Sequence, residues 1–296
     1  MLATLGPDAI NEAKFSTWST KLVVLGLLWD TKSRTVSMPS GKVAKALSRL
    51  REVIVAARAT RHQLEKLLGS LRHISLCYRS ARAFFQRLHA IWPRFGPVRI
   101  STSVLQDLLW VESLLQHDAM NGISTSLLAG TSEPCVHLFM DASDSGLAVL
   151  YPAIREYIRV QFDSAETQVL RATTEFSINT RELISAVLAV LVWGPMWKRV
   201  PADIKRPIHV RCWIDNLSAT AWIARHRACH PAGQELLRVL SCAEVEFGLH
   251  VSAVHIPGAQ NTLADMGSRA WSGTGLRDWS NKMSSWCEQV VPPRFR

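Results

Sequence analysis

The chain has 296 residues, room for two modest domains, and 48% of them are hydrophobic, which excludes wholesale disorder. Net charge is +10 and uneven: residues 31–100 hold fifteen Lys and Arg against Glu52 and Glu65, a net +13, so the remainder carries −3. The six cysteines show no Cys-x-x-Cys spacing, which speaks against a zinc site or disulfide framework and suits reduced, intracellular thiols.

Met1 to Lys14 lacks a sustained apolar segment, so no signal peptide is expected there. Lys21 to Trp29 is rich in β-formers, Asp30 to Arg34 is a turn, and Thr35 to Met38 reads as a returning strand. A helix starts at Pro39-Ser40, with Val43, Leu47, Leu50 and Ile54 at helical spacing and the basic residues largely elsewhere. Thr60-Arg-His-Gln63 is a capping-box pattern that opens a second helix, with Leu64, Leu67, Leu68, Leu71 and Ile74 on its apolar face. Gly69 inside it costs roughly 1 kcal/mol against alanine, and close packing on a neighbouring helix would justify it. Ala81 to Ile91 and Ser101 to His117 are expected as a third and a fourth helix. Residues 1–125 therefore read as a short hairpin plus a basic, mainly helical segment.

Composition shifts at Asn121 to Pro134, rich in Gly, Ser and Thr, and a linker is expected there. Beyond it, Val136 to Met140 is a strand that runs into Asp141, and Gly146 to Tyr151 and Tyr157 to Phe162 are two more. A helix is expected over Thr180 to Trp193, within which Leu183 to Trp193 is too short an apolar run to span a bilayer. His209 to Ile214 is a strand running into Asp215, followed by helices from Leu217 and from Ala232 to about Val245. The apolar run Leu249 to Val254 is a last strand. Pro257 and Gly258 break it, and Asn261 is a candidate cap for a final helix holding Asp265. A strand meander that gives way to alternating strands and helices implies a mixed α/β sheet over residues 130–270. The tail, 271–296, has Trp271, Trp279 and Trp286 but no clear period, and reads as a linker or partial helix.

Four acids stand out by position. Asp141 and Asp215 follow apolar strands, Glu182 is near a helix start, and Asp265 begins the last helix. Taken singly, each is an ordinary turn, cap or helix-dipole residue, and Asp144 and Asp163 are read as just that. Taken together, acids at neighbouring strand ends repel one another unless a hard cation joins them. Two such cations about 4 Å apart clamp the attacking water and leaving oxygen of a phosphodiester. The basic front segment suits a polyanion held beside them.

The order Asp-Ala-Ser143, Arg181-Glu-Leu-x-x-Ala, Ile-Asp-Asn216 and His255-x-Pro-Gly-x-x-Asn261-x-x-Ala-Asp265-x-x-Ser-Arg269 resembles the ribonuclease H domain of retroelement reverse transcriptases, DIRS-type retrotransposons above all. The resemblance covers residues 135–270. It implies an RNase H-like mixed sheet flanked by helices, and a Mg²⁺-dependent (two ions, Mn²⁺ also serving) endonuclease that cuts the RNA of an RNA–DNA hybrid. It implies that Asp141, Glu182, Asp215 and Asp265 hold the metals and that His255 aids proton transfer or product release. Asn261 matches a residue near the scissile phosphate, and Ser143 and Asn216 are further candidate substrate contacts. Leu25-Gly26-Leu27, Ser40-Gly-Lys42 and Leu64-x-x-Leu-Leu-Gly69 more loosely resemble thumb and connection segments, which would grip the duplex backbone. The aromatic-x-Asp-Asp polymerase turn is absent, so the chain is expected to be the C-terminal piece of a longer or decayed element, working inside the cell and not at a membrane, with the polymerase part as a partner. Between the helices at 217–245 no basic insertion of the kind some members use to bind hybrid is seen. Two alternatives stay open: an inactive nucleic-acid-binding relic of the same fold, and a transposase or integrase.

Overall fold

The computed structural model describes residues 16–93, 95–117, 120–172, 176–198 and 207–295. The expectation for Met1 to Lys14 lies outside them. The front segment opens with β1 (Lys21–Val24), β2 (Leu27–Asp30) and β3 (Thr35–Ser37) as an antiparallel meander. The single β-rich run expected over Lys21 to Trp29 is thus two strands. Leu25 and Gly26 both take positive φ, 53° and 77°, and turn the chain in two residues.

Helix α1 (Ser40–Ala56) follows, then the short β4 (Arg58–Ala59) and α2 (Arg61–Ile74). The Thr60–Gln63 capping box forms in both directions. Gly69 corrects its expectation, because a Cβ there would meet nothing within 4 Å. It faces an open groove lined by Lys42, Lys45, Arg49 and Lys66, so helix packing does not account for it. The helix expected at Ala81 to Ile91 is a 3-10 turn, Arg79–Phe85, that passes into the short α3 (Gln86–Ala90). Residues three apart eclipse in a 3-10 turn, which turns Ala81 and Phe84 inward together, Phe84 onto Trp110 at 3.8 Å. Strand β5 (Val98–Arg99) pairs with β4, and α4 (Thr102–Gln116) completes the helices of the front segment.

The Gly/Ser/Thr stretch expected as a linker is partly structured. Its β6 (Ile123–Ser124) adds to β3, α5 (Thr125–Leu128) follows, and the Asn121 amide brackets the Met38 backbone with two 2.8 Å hydrogen bonds.

The second sheet positions the acids. Its strands are β7 (Val136–Ala142), β8 (Gly146–Tyr151), β9 (Glu156–Gln161), β10 (Ile208–Ile214), β11 (Leu249–His255) and β12 (Cys287–Glu288), in the order β11-β10-β7-β8-β9-β12. β7, β8 and β9 form an antiparallel meander, while β10 and β11 run parallel to β7. The interleaved helices are α6 (Ser164–Ala172), α7 (Ile178–Trp197), α8 (Leu217–Arg225), α9 (Pro231–Phe247), α10 (Thr262–Arg269) and α11 (Gly273–Lys282). Helices α7 and α9 bury Leu183, Val187, Val190, Leu237 and Leu240 with Leu138, Met140 and Val149 of the sheet. Helices α10 and α11 cover the other face through a smaller cluster that includes Leu150, Tyr157, Ala264 and Trp279. This is the mixed α/β sheet flanked by helices that the sequence implies. The larger apolar cluster also runs without a break into the front segment. Among the described residues no helix is long and apolar enough to cross a membrane.

The tail belongs to this sheet. β12 extends it beyond β9, and Trp279, 2% exposed, meets Tyr157 edge-on at 5.2 Å. The Arg159 guanidinium lies over Trp271 and Trp279 and donates to the Gly267 and Ala270 carbonyls. Gly146 is where the tail presses closest: a Cβ there would run into the Val160 carbonyl and the Trp271 ring. Backbone cannot swing aside as a side chain can. Gly146→Ala is therefore expected to cost about 1–3 kcal/mol, read as a lower urea midpoint at unchanged slope. A parent-like midpoint would mean that the sheet yields there.

Candidate acidic site

The parallel register brings two of the acids level. Met140 on β7 pairs with Ile214 on β10, and Ile214 with His255 on β11. The next residues, Asp141 and Asp215, therefore stand side by side at the carboxyl ends of adjacent strands, where open α/β sheets seat ligands. Glu182 comes from α7, whose start is capped by the Ser177 hydroxyl accepting from the Thr180 amide. Packing of α7 on the sheet aims Glu182 across the strand ends. The Ala142 N–H donates to its Oε1 at 2.9 Å. One carboxylate oxygen from each of Asp141, Glu182 and Asp215 lies within 4.8 Å of the other two.

This closeness is costly without a counter-charge. Burial, then the neighbouring Asp141, pushes the Glu182 carboxyl up to about 9. Burial raises Asp141 to about 6, with Asp215 and Asp265 adding and the Ser268 hydroxyl opposing. Asp215 is also raised, by burial and by Asp265, while His255 pulls it down. Glu182 is 1% exposed, and its Oε2 has no hydrogen-bond partner. A buried oxygen left bare beside two other carboxylates is what an oxygen-seeking cation would satisfy, so the residues present fit a hard divalent metal.

Asp265 is outside this triad. It sits on α10 with its carboxylate accepting from the Arg269 guanidinium at 2.6 Å, one turn along the helix. Its charge still reaches Asp141 and Asp215. His255 ends β11, exposed, and acts on Asp215. Gly258 in the following loop passes close enough that an added Cβ would touch the Asp215 Oδ2 at 3.4 Å.

The three candidate substrate residues differ in reach. Asn216 caps α8 through its Oδ1, and its Nδ2 donates to Asn179 at 2.9 Å, both half-buried at the site's edge. Asn261 occupies the cap position of α10, but its side chain makes no cap bond. It is 3% exposed and donates to the Met140 carbonyl at 2.8 Å, pinning α10 to the strand beneath Asp141. Ser143 is also buried. Its hydroxyl donates to the Ser268 carbonyl and accepts from the Ser145 and Gly146 amides, so its bonds tie the β7–β8 turn to α10.

Sequence reasoning gave no role to Ser268 or Arg181. The Ser268 hydroxyl donates to Asp141 Oδ2 at 2.6 Å and fixes that carboxylate. Its signal was its place one helical turn after Asp265 on the same face. Arg181, 5% exposed, donates to the Ser143 carbonyl and to Asp144 at 2.8 Å, which gives Asp144 a structural partner. Asp163 accepts from the Glu166 amide at the start of α6.

No protein-family model matches the chain, and no curated protein matches it. Among solved structures it is similar to RNase H1 from the archaeon Halobacterium salinarum, at 14% identity over 48% of this chain and 98% of that one, with a TM-score of 0.31. It is also similar to the foamy viral protease-reverse transcriptase in complex with an RNA/DNA hybrid, at 11% identity over 82% of this chain and 30% of that one, with a TM-score of 0.30. The same viral protein with double-stranded DNA gives 13% identity, 81% and 46% coverage and a TM-score of 0.27. The chain thus spans less than half of the viral protein it is similar to. The α/β fold stands on the strand order and register of this chain.

Proposed function

We propose that the chain is a metal-dependent ribonuclease H that hydrolyses the RNA strand of an RNA–DNA hybrid, as the C-terminal part of a retroelement reverse transcriptase. On this reading residues 130–270 hold the nuclease, 1–125 grip the duplex, and the polymerase is supplied from elsewhere, with the chain working inside the cell, in cytoplasm or nucleus, and not secreted. The observation that carries it is the convergence of Asp141, Glu182 and Asp215, with a bare Glu182 oxygen and all three carboxyls raised. Two Mg²⁺ ions, or Mn²⁺, held by this triad with Asp265 beside it, would neutralise the acids, activate water and stabilise the leaving oxygen.

The chain's own residues do the rest. Ser268 and the Ala142 amide hold two carboxylates in fixed directions, so little reorganisation is needed when substrate arrives. His255, exposed beside Asp215, is the group available to pass a proton to the departing 3′ oxygen. The half-buried Asn179–Asn216 pair offers amides toward the minor groove, where 2′-hydroxyls mark RNA.

One observation favours a second reading, a binding-only relic: the Asp265 carboxylate is engaged by Arg269 and outside the triad. A labelled hybrid incubated with Mg²⁺, with Mn²⁺ and with EDTA separates the two. RNA-strand cleavage that needs the metal is expected. Tight hybrid binding with no cutting at any Mg²⁺ or Mn²⁺ concentration would instead establish the relic.

A further inference from the structure

A cleft of about 460 Å³ opens where the front segment meets the second sheet's helices. Arg72 of α2, Arg82 of the 3-10 turn, and Arg225 and Arg227 at the end of α8 line it, and no acidic side chain does. Nearby arginines are paired: Arg87 and Arg238 share Asp107 and Glu235. Among the described residues the four cleft guanidiniums have no such partner. Arg82 is half-buried, and both burial and the charge of Arg79 work against its cation. A desolvated, unpaired guanidinium beside a like charge is unfavourable until an anion joins it.

The walls are fixed. The Gln86 side chain donates to the His226 carbonyl and accepts from the Ala228 amide, both at 3.3 Å, which clamps the α8–α9 connection to the front segment. Helix α8 joins this cleft to the acidic site, since it starts beside Asp215 and ends at Arg225. Nine helical residues span roughly 14 Å. At about 3.4 Å of duplex axis per phosphate of one strand, that is some four nucleotides for a duplex lying along the helix.

We propose that this cleft seats the phosphodiester backbone of a nucleic-acid strand about four nucleotides from the acidic triad, with Arg82 at its floor and Arg72, Arg225 and Arg227 at its rim. The α8–α9 connection thereby supplies a basic grip without any inserted helix. The inference rests on the nuclease reading for the position of the strand, and it deepens that reading by naming a second hold on substrate.

The test compares the full chain with Arg82→Gln/Arg227→Gln and Arg82→Lys/Arg227→Lys, using a labelled 20-base-pair RNA–DNA hybrid in metal-free buffer across a salt series. The Gln pair is expected to weaken binding about tenfold near physiological salt and to flatten the log K against log salt slope by one to two. The Lys pair keeps most of the slope. Thermal stability of the Gln pair is expected to match or exceed the parent, because an unpaired half-buried charge has gone. Unchanged affinity and slope would overturn the proposal, as would a parent that does not bind hybrid at all, or a Gln pair that binds weakly only because it melts early. A Gln pair that loses inorganic pyrophosphate binding while holding hybrid normally would make the cleft a small-anion site and overturn it too. Cleavage with Mg²⁺ is scored separately. A flattened slope with no cutting by the parent sinks the nuclease reading and leaves the cleft standing. An unchanged slope with a cutting parent does the reverse.

Discussion

Asp141→Asn is expected to lower Mg²⁺-dependent cleavage of an RNA–DNA hybrid about a thousandfold or more, while hybrid binding stays within a few-fold of the parent. Asp141 is the middle of the triad: level with Asp215 across the parallel strands, within reach of Glu182, and fixed by Ser268. Asparagine keeps the volume and can still meet Ser268, so only the charge is removed. The same change should stabilise the metal-free fold. Burial holds Asp141 near 6 against an ordinary value of 3.8, so the folded state binds its proton more tightly than the unfolded state does. Stability is therefore lost as pH rises from about 4 through about 6, and the loss is complete above that. Asparagine avoids it, by up to about 3 kcal/mol at pH 8 on the ~1.4 kcal/mol per pH unit scale, and by almost nothing at pH 4. Urea melts in EDTA at the two pH values read this directly. A structural acid would lose stability on replacement, whereas an acid strained for a ligand loses activity and gains stability. Cleavage retained within tenfold of the parent would remove Asp141 from the site.

The acids at strand ends were legible because apolar runs stop at Asp141 and Asp215, which places each charge where its strand ends. The parallel pairing that sets Met140 against Ile214 was not legible, since register depends on helices packed between the strands. Helix starts with a chemical signature were found, as at Thr60, because a cap is a local interaction. Gly69 was misjudged because a glycine gives the same signal whether a neighbour or open space faces it. The tail escaped for a similar reason: β12 is two residues long, and Trp271 and Trp279 are held by Arg159 in sequence-distant contacts. Asp265 shows the limit for site residues. Its place in the motif is plain, but the direction of its carboxylate is set by Arg269, one turn on. The basic cleft was half visible as charge in residues 31–100. Its other half, Arg225 and Arg227, lies in a stretch whose net charge says nothing of what it faces.

Glu244→Ala is expected to destabilise the protein by about 2–5 kcal/mol, because two buried hydrogen-bond partners lose their acceptor at about 1–3 kcal/mol each. Glu244 lies on α9, where its Oε2 meets His226 Nε2 at 2.8 Å and its Oε1 accepts from the Val251 amide at 2.8 Å. Both partners are then left without their acceptor in a buried site. Arg79 and His250 crowd the same spot, with the Arg79 guanidinium 3.4 Å from the His250 ring. Arg79 comes from the front segment, so this cluster is also the joint between the two halves. Its pH response follows from two shifts of the same sense. Burial alone would raise the Glu244 carboxyl, but His226, His250 and Arg79 together hold it below the usual range. A depressed acid contributes stability above its unfolded value and loses it as pH falls. Burial, then Arg79, pulls His250 down to about 3, so the folded state resists a proton that the unfolded chain accepts near 6.5. That stability is present above pH 6.5 and drains away as pH falls toward 3. The contribution of this cluster should therefore shrink below pH 6.5, opposing the gain that Asp141 makes over the same range, and Glu244→Ala should show its deficit at neutral pH and lose the cluster's share of the acid slope. Glu244→Gln, which keeps the Val251 contact without the charge, should fall between the two. Urea midpoints at pH 5 and 7.5 for the three proteins decide it. A Glu244→Ala protein as stable as the parent at pH 7.5 would mean that the joint is held by its apolar contacts alone.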